Sequence, residues 1–245
     1  MPIILYLETA TKICSVALAR DEHLLAVRET AEANSHSELI TVFIQEVLLE
    51  AGMAIKDLDA VAVSKGPGSY TGLRIGVSTA KGLCFALDKP LISVGTLQSM
   101  AFGAVARLET IEPDTLICPM LDARRMEVYY ALFDDKLNEI QTDSAAIITE
   151  DTFTELAKKY SILLLGDGAE KCMSMFSNQT NISLLKDFTI SSSFMIKLAL
   201  RKFHIMDFED VAYFEPFYLK NFIAGKPNVK GLYSRSLISH FSGHY

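Results

Sequence analysis

The chain has 245 residues, half of them hydrophobic, and a formal net charge of −7. That is core material for one large domain or two modest ones. An acidic chain also repels the nucleic-acid backbone at long range, which makes it a poor candidate for gripping DNA or RNA by itself, with Arg124-Arg125 as one small candidate for a local basic patch. Cys14, Cys84, Cys118 and Cys172 are dispersed and include no Cys-x-x-Cys, so they read as buried reduced thiols rather than a disulfide framework. The sequons at Asn178 and Asn181 then carry no expectation of glycosylation. No basic segment with an apolar core and cleavage site opens the chain, and the longest charge-free run, 90–106, is broken by Gly95, Gln98 and Gly103. The expectation is a cytoplasmic protein with no membrane span.

In chain order, the apolar run 3–7 predicts a central strand, and 13–19 and 24–30 predict two more around Asp21-Glu22, an antiparallel meander. Ser35 and Glu38 have capping-box spacing before a helix over 36–51, in which Leu39, Ile40, Phe43, Ile44, Val47 and Leu48 recur at helical spacing and Gly52 stands at the C-cap. A strand at 59–64, the turn Gly66-Pro67-Gly68-Ser69-Tyr70-Thr71-Gly72, a helix over 71–87, a strand at 91–94 and a helix over 96–107 follow.

A glycine-rich strand-to-helix turn leaves backbone N–H groups free to meet an anion or another chain. Two phosphate loops fail by counting: from Gly66 the Walker spacing reaches Thr71 with no Gly-Lys, and the dinucleotide spacing meets Thr71 where its third glycine belongs. A tight turn with close helix packing is the better local reading.

The second half reads as a weaker echo. Strands are predicted at 115–120, 126–133 and within 139–148, a helix over 152–160, a strand at 162–165, the turn Gly166-Asp167-Gly168, and helices near 169–177 and 192–204. The repeat gives a two-lobed α/β chain, with lobes at 1–108 and 109–215 and a closing segment and tail at 216–245.

The order of Leu7-Glu8-Thr9-Ala10-Thr11 with Cys14–Leu18, His36-Ser37, Gly66–Gly76, Ala80–Leu83, Leu121–Arg125 with Glu127–Tyr129, Gly166–Ala169 and Pro216–Lys220 resembles the TsaB (YeaZ) family. These are bacterial partner proteins in forming threonylcarbamoyladenosine on transfer RNA. The resemblance implies an actin-like, sugar-kinase-like (ribonuclease H-like) fold. Many members carry Asp where this chain has Glu8, one methylene longer, which speaks against phosphate handling there. The sister family, TsaD, carries His-x-x-x-His on the helix after the next strand, a metal-binding spacing; here Thr96 and Met100 hold those places. The implied protein is therefore a non-catalytic subunit that docks a TsaD-type transferase through its first helices and helps recruit a TsaE-type ATPase. The resemblance places ATP and the metal ion in the partners, gives this chain no cofactor of its own, leaves most transfer-RNA contacts to the partners, and allows a homodimer.

The partner interface is expected at His36, Leu39, Phe43, Val47, Ser69, Tyr70 and Arg74, although core packing accounts for most of the stripe on the first helix. His36, in a helix's first turn, suits a neutral capping or interface role better than acid–base work. Glu8, Thr9, Asp122, Arg124, Gly166 and Gly168 are candidates for a vestigial nucleotide or phosphate site. For Asp122, Arg124 and Arg125 two readings stand level, a phosphate or carboxylate site and a solvated turn with an internal Asp–Arg pair. His240 and His244 share a turn's spacing across Gly243 and read as tail, not metal site. The rival functions are an ATP-dependent small-molecule kinase, a metalloprotease and a purely self-associating protein.

Overall fold

The computed structural model describes residues 1–31, 36–108 and 110–220; Ser35, His240 and His244 lie outside the described residues. The first lobe runs β1 (Ile3–Glu8), β2 (Cys14–Arg20), β3 (His23–Thr30), α1 (His36–Glu50), β4 (Ala60–Gly66), α2 (Tyr70–Leu87), β5 (Leu91–Gly95) and α3 (Thr96–Leu108). Its sheet has the order β3-β2-β1-β4-β5, antiparallel through the meander and parallel from β1 to β5. Both faces of β1 are covered, which explains its unbroken apolar run: Leu5 and Leu7 pack beneath α1 and α2, and Ile4 and Tyr6 pack on the other side. Gly52 takes the left-handed φ of +64° expected of a helix C-cap.

The second lobe runs β6 (Thr115–Asp122), β7 (Glu127–Phe133), β8 (Glu139–Ile147), α4 (Thr154–Ala157), β9 (Ser161–Leu165), α5 (Asp167–Cys172) and β10 (Ile182–Leu185), followed by α6 (Ile196–His204). Its sheet order, β10-β9-β6-β7-β8, is the first lobe's order strand for strand. The chain is a two-lobed α/β fold, as the echo predicted, with the actin-like architecture that the resemblance implied. Among the described residues, no helix is long and apolar enough to cross a membrane.

Three expectations need correction. The strand β10 was not anticipated: it has four residues and pairs only with β9, too short for a periodic signal. The helices expected at 152–160 and 169–177 are shorter: α4 has four residues, and α5 gives way to a 3-10 turn at Met173–Phe176. The third concerns the expected lobe limit at 215. Met195, Ile196, Leu198, Ala199 and Leu200 pack with Ile4, Ala17 and Ala62, so the chain has returned to the first sheet by α6. The apolar face of α6 is complementary to β1, β4 and β5, a long-range match that a pass along the sequence does not expose. Helix α3 lies between the sheets, its Leu97, Met100 and Ala101 packing on Ile117, Leu121 and Phe133 of the second lobe.

Helix α2 sits directly on the turn between β1 and β2. Ser69 caps it, accepting the Gly72 N–H at 3.3 Å, while the Ser69 N–H donates to the Ala10 carbonyl at 2.6 Å. A Cβ on Gly72 would collide with the Thr9 carbonyl oxygen, whereas one on Gly82, almost three turns along the helix, would meet nothing within 4 Å. This contrast is measurable by urea unfolding. Gly72→Ala is expected to lower stability by about 1–3 kcal/mol through overpacking. Gly82→Ala is expected to raise it by up to ~1 kcal/mol through helix propensity. A neutral Gly72→Ala would contradict the close seating of α2.

Candidate functional site

The first glycine turn has no backbone cradle to spare, because the Thr9–Ala10 main chain fills it. Glu8, at the end of β1, is fully buried. Its Oε1 accepts the Ala10 N–H at 2.7 Å and the Ser64 hydroxyl at 2.9 Å, while Oε2 has no partner. Burial outweighs those hydrogen bonds and pushes the carboxyl up from 4.5 to about 7. Nearby Cys14 is pushed up to about 11, by burial first and by the Glu8 charge second. Thr9 is buried with its Oγ1 unpartnered. Glu8 and Thr9 are thus parts of the interior, closed off from a ligand.

The second lobe's turn is filled in the same manner. Gly166, at φ +94°, abuts the Met120 carbonyl and the Met100 methyl, and Gly168 abuts the Leu121 main chain. Asp122 is exposed and bound within the fold: its Oδ1 accepts the Arg124 N–H at 2.8 Å and pairs with Lys171 Nζ at 2.5 Å. The expected internal partner of Asp122 was an arginine; it is Lys171, brought over by α5, while Arg124 contributes only its backbone. A cavity of about 260 Å³ opens between the lobes, lined in part by Lys12, Met100, Asp167, Glu170 and Asp187. One ammonium and three carboxylates line it, a charge balance unfavourable to a nucleotide polyphosphate.

Thr96 and Met100, at the sister family's histidine places, are both buried, and Met100 fills the space beside Gly166. Among the described residues, no group of three His, Cys, Asp or Glu side chains stands where it could hold a metal ion.

The face of α1 and α2 differs from expectation. Val47 is fully buried in the core beneath the helices, and His36 is buried with Nε2 3.1 Å from the Ile13 carbonyl, a contact that a neutral ring makes by donating. Neither is available to a partner. Leu39 and Phe43 are half-buried, and Phe43 packs against that core. Ser69 caps α2, and the rings of Tyr70 and Tyr218 are 4.8 Å apart. Arg74 lies 4.2 Å over Tyr70 and donates through Nε to the Tyr218 hydroxyl at 3.2 Å. These three residues are engaged by their own chain.

What the two helices do present is Leu49, 82% exposed, with Val42 on α1, and Phe85, 85% exposed, on α2. Gly82 lies one turn before Phe85 with open space above it. The signal for these residues was available, since Val42, Leu49 and Phe85 fall opposite the core positions on a helical wheel.

A family model described as TsaD: tRNA N6-adenosine threonylcarbamoyltransferase matches residues 28–219. The tRNA threonylcarbamoyladenosine biosynthesis protein TsaB of Escherichia coli (strain K12) is 30% identical over 230 residues, 91% of this chain and 96% of that protein. The chain belongs to the TsaB family. The TsaB of Bacillus subtilis (strain 168) is 34% identical over 166 residues, 66% of this chain and 70% of that protein. Among solved structures, YeaZ from Pseudomonas aeruginosa has a TM-score of 0.73 at 25% identity, covering 89% of this chain and all of that one. A second Pseudomonas aeruginosa structure, described as similar to peptidase YEAZ, reaches a TM-score of 0.77 at 24% identity, covering 90% and 100%, and supports the fold alone.

The buried Glu8 gives this member of the family a pH signature. Its folded-state value lies above its unfolded one, so the folded state holds the proton more tightly. That contribution is fully present below about pH 4.5 and is lost as pH rises through about 7. Glu8→Gln keeps an acceptor for Ala10 and Ser64 and cannot ionise. In urea titrations, the variant is expected to gain on the wild type between pH 5 and pH 8 by on the order of 3 kcal/mol. Parallel pH profiles would contradict a buried, proton-holding Glu8.

Proposed function

We propose that this chain is a non-catalytic subunit of the complex that forms N6-threonylcarbamoyladenosine on transfer RNA. It binds and activates a TsaD-type transferase and helps recruit a TsaE-type ATPase. The observation that carries the reading is the exposure of large apolar side chains on both helices, Leu49 on α1 and Phe85 on α2, the latter one turn from the open backbone at Gly82. An exposed glycine in mid-helix weakens the helix and lets another backbone come close. A large exposed aromatic beside it has the character of an interface anchor. The same face can serve a homodimer when the transferase is absent.

The filled glycine turns support placing ATP and the metal ion in the partner subunits. The acidic charge of the chain supports leaving most transfer-RNA contacts to them as well. The complex operates in the cytoplasm, where transfer RNA is modified.

The decisive variants are Phe85→Asp and Leu49→Asp, because both side chains are solvent-exposed in the free chain. Each is expected to leave the unfolding midpoint unchanged and to weaken binding of a TsaD-type subunit, measured by calorimetry, by at least about thirty-fold. Phe43→Asp is a poorer test because Phe43 also contacts the core. Val47→Asp is the control, expected to unfold the chain outright. A folded Phe85→Asp protein that binds like the wild type would remove this face from the interface.

A further inference from the structure

Residues 207–220 form neither helix nor extended strand, yet they are pinned along their length. The Glu209 N–H donates to the Leu91 carbonyl at the start of β5 at 2.8 Å, and its carboxylate accepts the Ser93 hydroxyl. Lys81 of α2 donates to the Phe214 carbonyl at 2.8 Å and the Ala212 carbonyl at 3.2 Å. The Phe217 N–H donates to the Lys65 carbonyl at 2.7 Å, and the Phe217 carbonyl lies where a Cβ on Gly66 would stand. Tyr218 then meets Tyr70 and Arg74. Every one of these anchors is on the first lobe.

Two residues further on, the partner changes lobe. Lys220 Nζ pairs with the Glu127 carboxylate at the start of β7. The Glu127 carbonyl also accepts Lys171 at 2.9 Å, Lys171 pairs with Asp122, and the Asp122 N–H donates to Asp167 on the wall of the interlobe cavity at 3.0 Å. Among the described residues, Lys220–Glu127 is the ion pair that joins this segment to the second lobe.

We propose that residues 209–220 are a strap that, alongside the buried packing of α3 on the second lobe, limits the spread of the angle between the lobes. Its first-lobe end is fixed by main-chain hydrogen bonds and an aromatic stack. Its second-lobe end is a releasable ion pair. The two anchorages differ in kind. The first-lobe end is held by the backbone-to-backbone Phe217 and Glu209 bonds, with Val211 and Phe214 between them packed on the first-lobe core, whereas the second-lobe end is a single side-chain pair, Lys220 and Glu127 being 42% and 23% exposed. A pair of that exposure is weak and screened by salt, so it opens without the fold opening. Because Tyr218 holds Arg74 on α2, freeing the strap at that point also releases Lys220 from its register with Glu127. The strap thus links α2 to the cavity wall through Lys220, Glu127, Lys171 and Asp122. This inference stands whether or not α2 docks a partner.

The test reads the distance between lobes in the full chain. The native thiols are all buried, so spin labels can be placed on Thr41→Cys in α1 and Lys159→Cys after α4, both exposed positions. Electron–electron resonance on this pair is expected to give one narrow distance distribution for the otherwise unchanged protein. Lys220→Ala and Tyr218→Ala should each widen that distribution about twofold or shift its mean, with the unfolding transition still cooperative. Lys220→Glu combined with Glu127→Lys should restore the narrow distribution. The strap is overturned if either alanine variant superimposes on the unchanged protein, or if the reversed pair leaves the distribution wide.

Discussion

The contact on which the rest of this structure depends is the approach of helix α2 to the Thr9–Ala10 main chain. It is close enough that Gly72 admits no side chain. Strand-to-helix glycine turns commonly aim their free N–H groups at an anion. Here the Ser69 N–H is given to Ala10 and the Gly72 N–H to the Ser69 hydroxyl. The turn has become an internal joint between the first hairpin and the first long helix pair.

Three consequences follow from that joint. Glu8, at the end of the strand feeding the turn, is sealed beneath it, and burial pushes its carboxyl up to about 7. The opposite side of α2 is left outward with Gly82 and Phe85 uncovered. The C-terminal strap can also run beside the turn, with Phe217 on Lys65 and Tyr218 on Arg74. The second lobe repeats the pattern, Met100 and the Met120 main chain closing the turn at Gly166. The outer faces of α1 and α2 are left uncovered at Leu49 and Phe85.

Much of this was legible in the sequence because the determining interactions are local. The apolar run at Ile3–Leu7, the alternation that makes the meander, the glycine turn and the cap at Gly52 each carry their own signal. The duplication was legible too, although the edge strand at Ile182–Leu185 is too short to register. The inward and outward faces of α1 were harder to separate. Leu39-Ile40, Phe43-Ile44 and Leu48-Leu49 are adjacent apolar pairs, so the stripe is wide enough to support several choices of inner face. The sheet beneath α1 decides it, burying Val47 and leaving Leu49 out. Tyr70 and Arg74 eluded local reading for a different reason. Their partner Tyr218 is 144 residues beyond Arg74, and only the return of α6 to the first lobe brings it near. The Asp122–Lys171 pair is likewise made by a helix far along the chain.

The central claim is that the Ser69 and Gly72 donors of the first glycine turn already belong to the protein. Titrating magnesium–ATP into the isolated chain, with the Ser69 and Gly72 amides followed by nuclear magnetic resonance, tests it most directly. The account predicts that both amide signals stay in place through millimolar nucleotide and that no saturable heat is released. Saturable binding accompanied by movement of those two signals would contradict it.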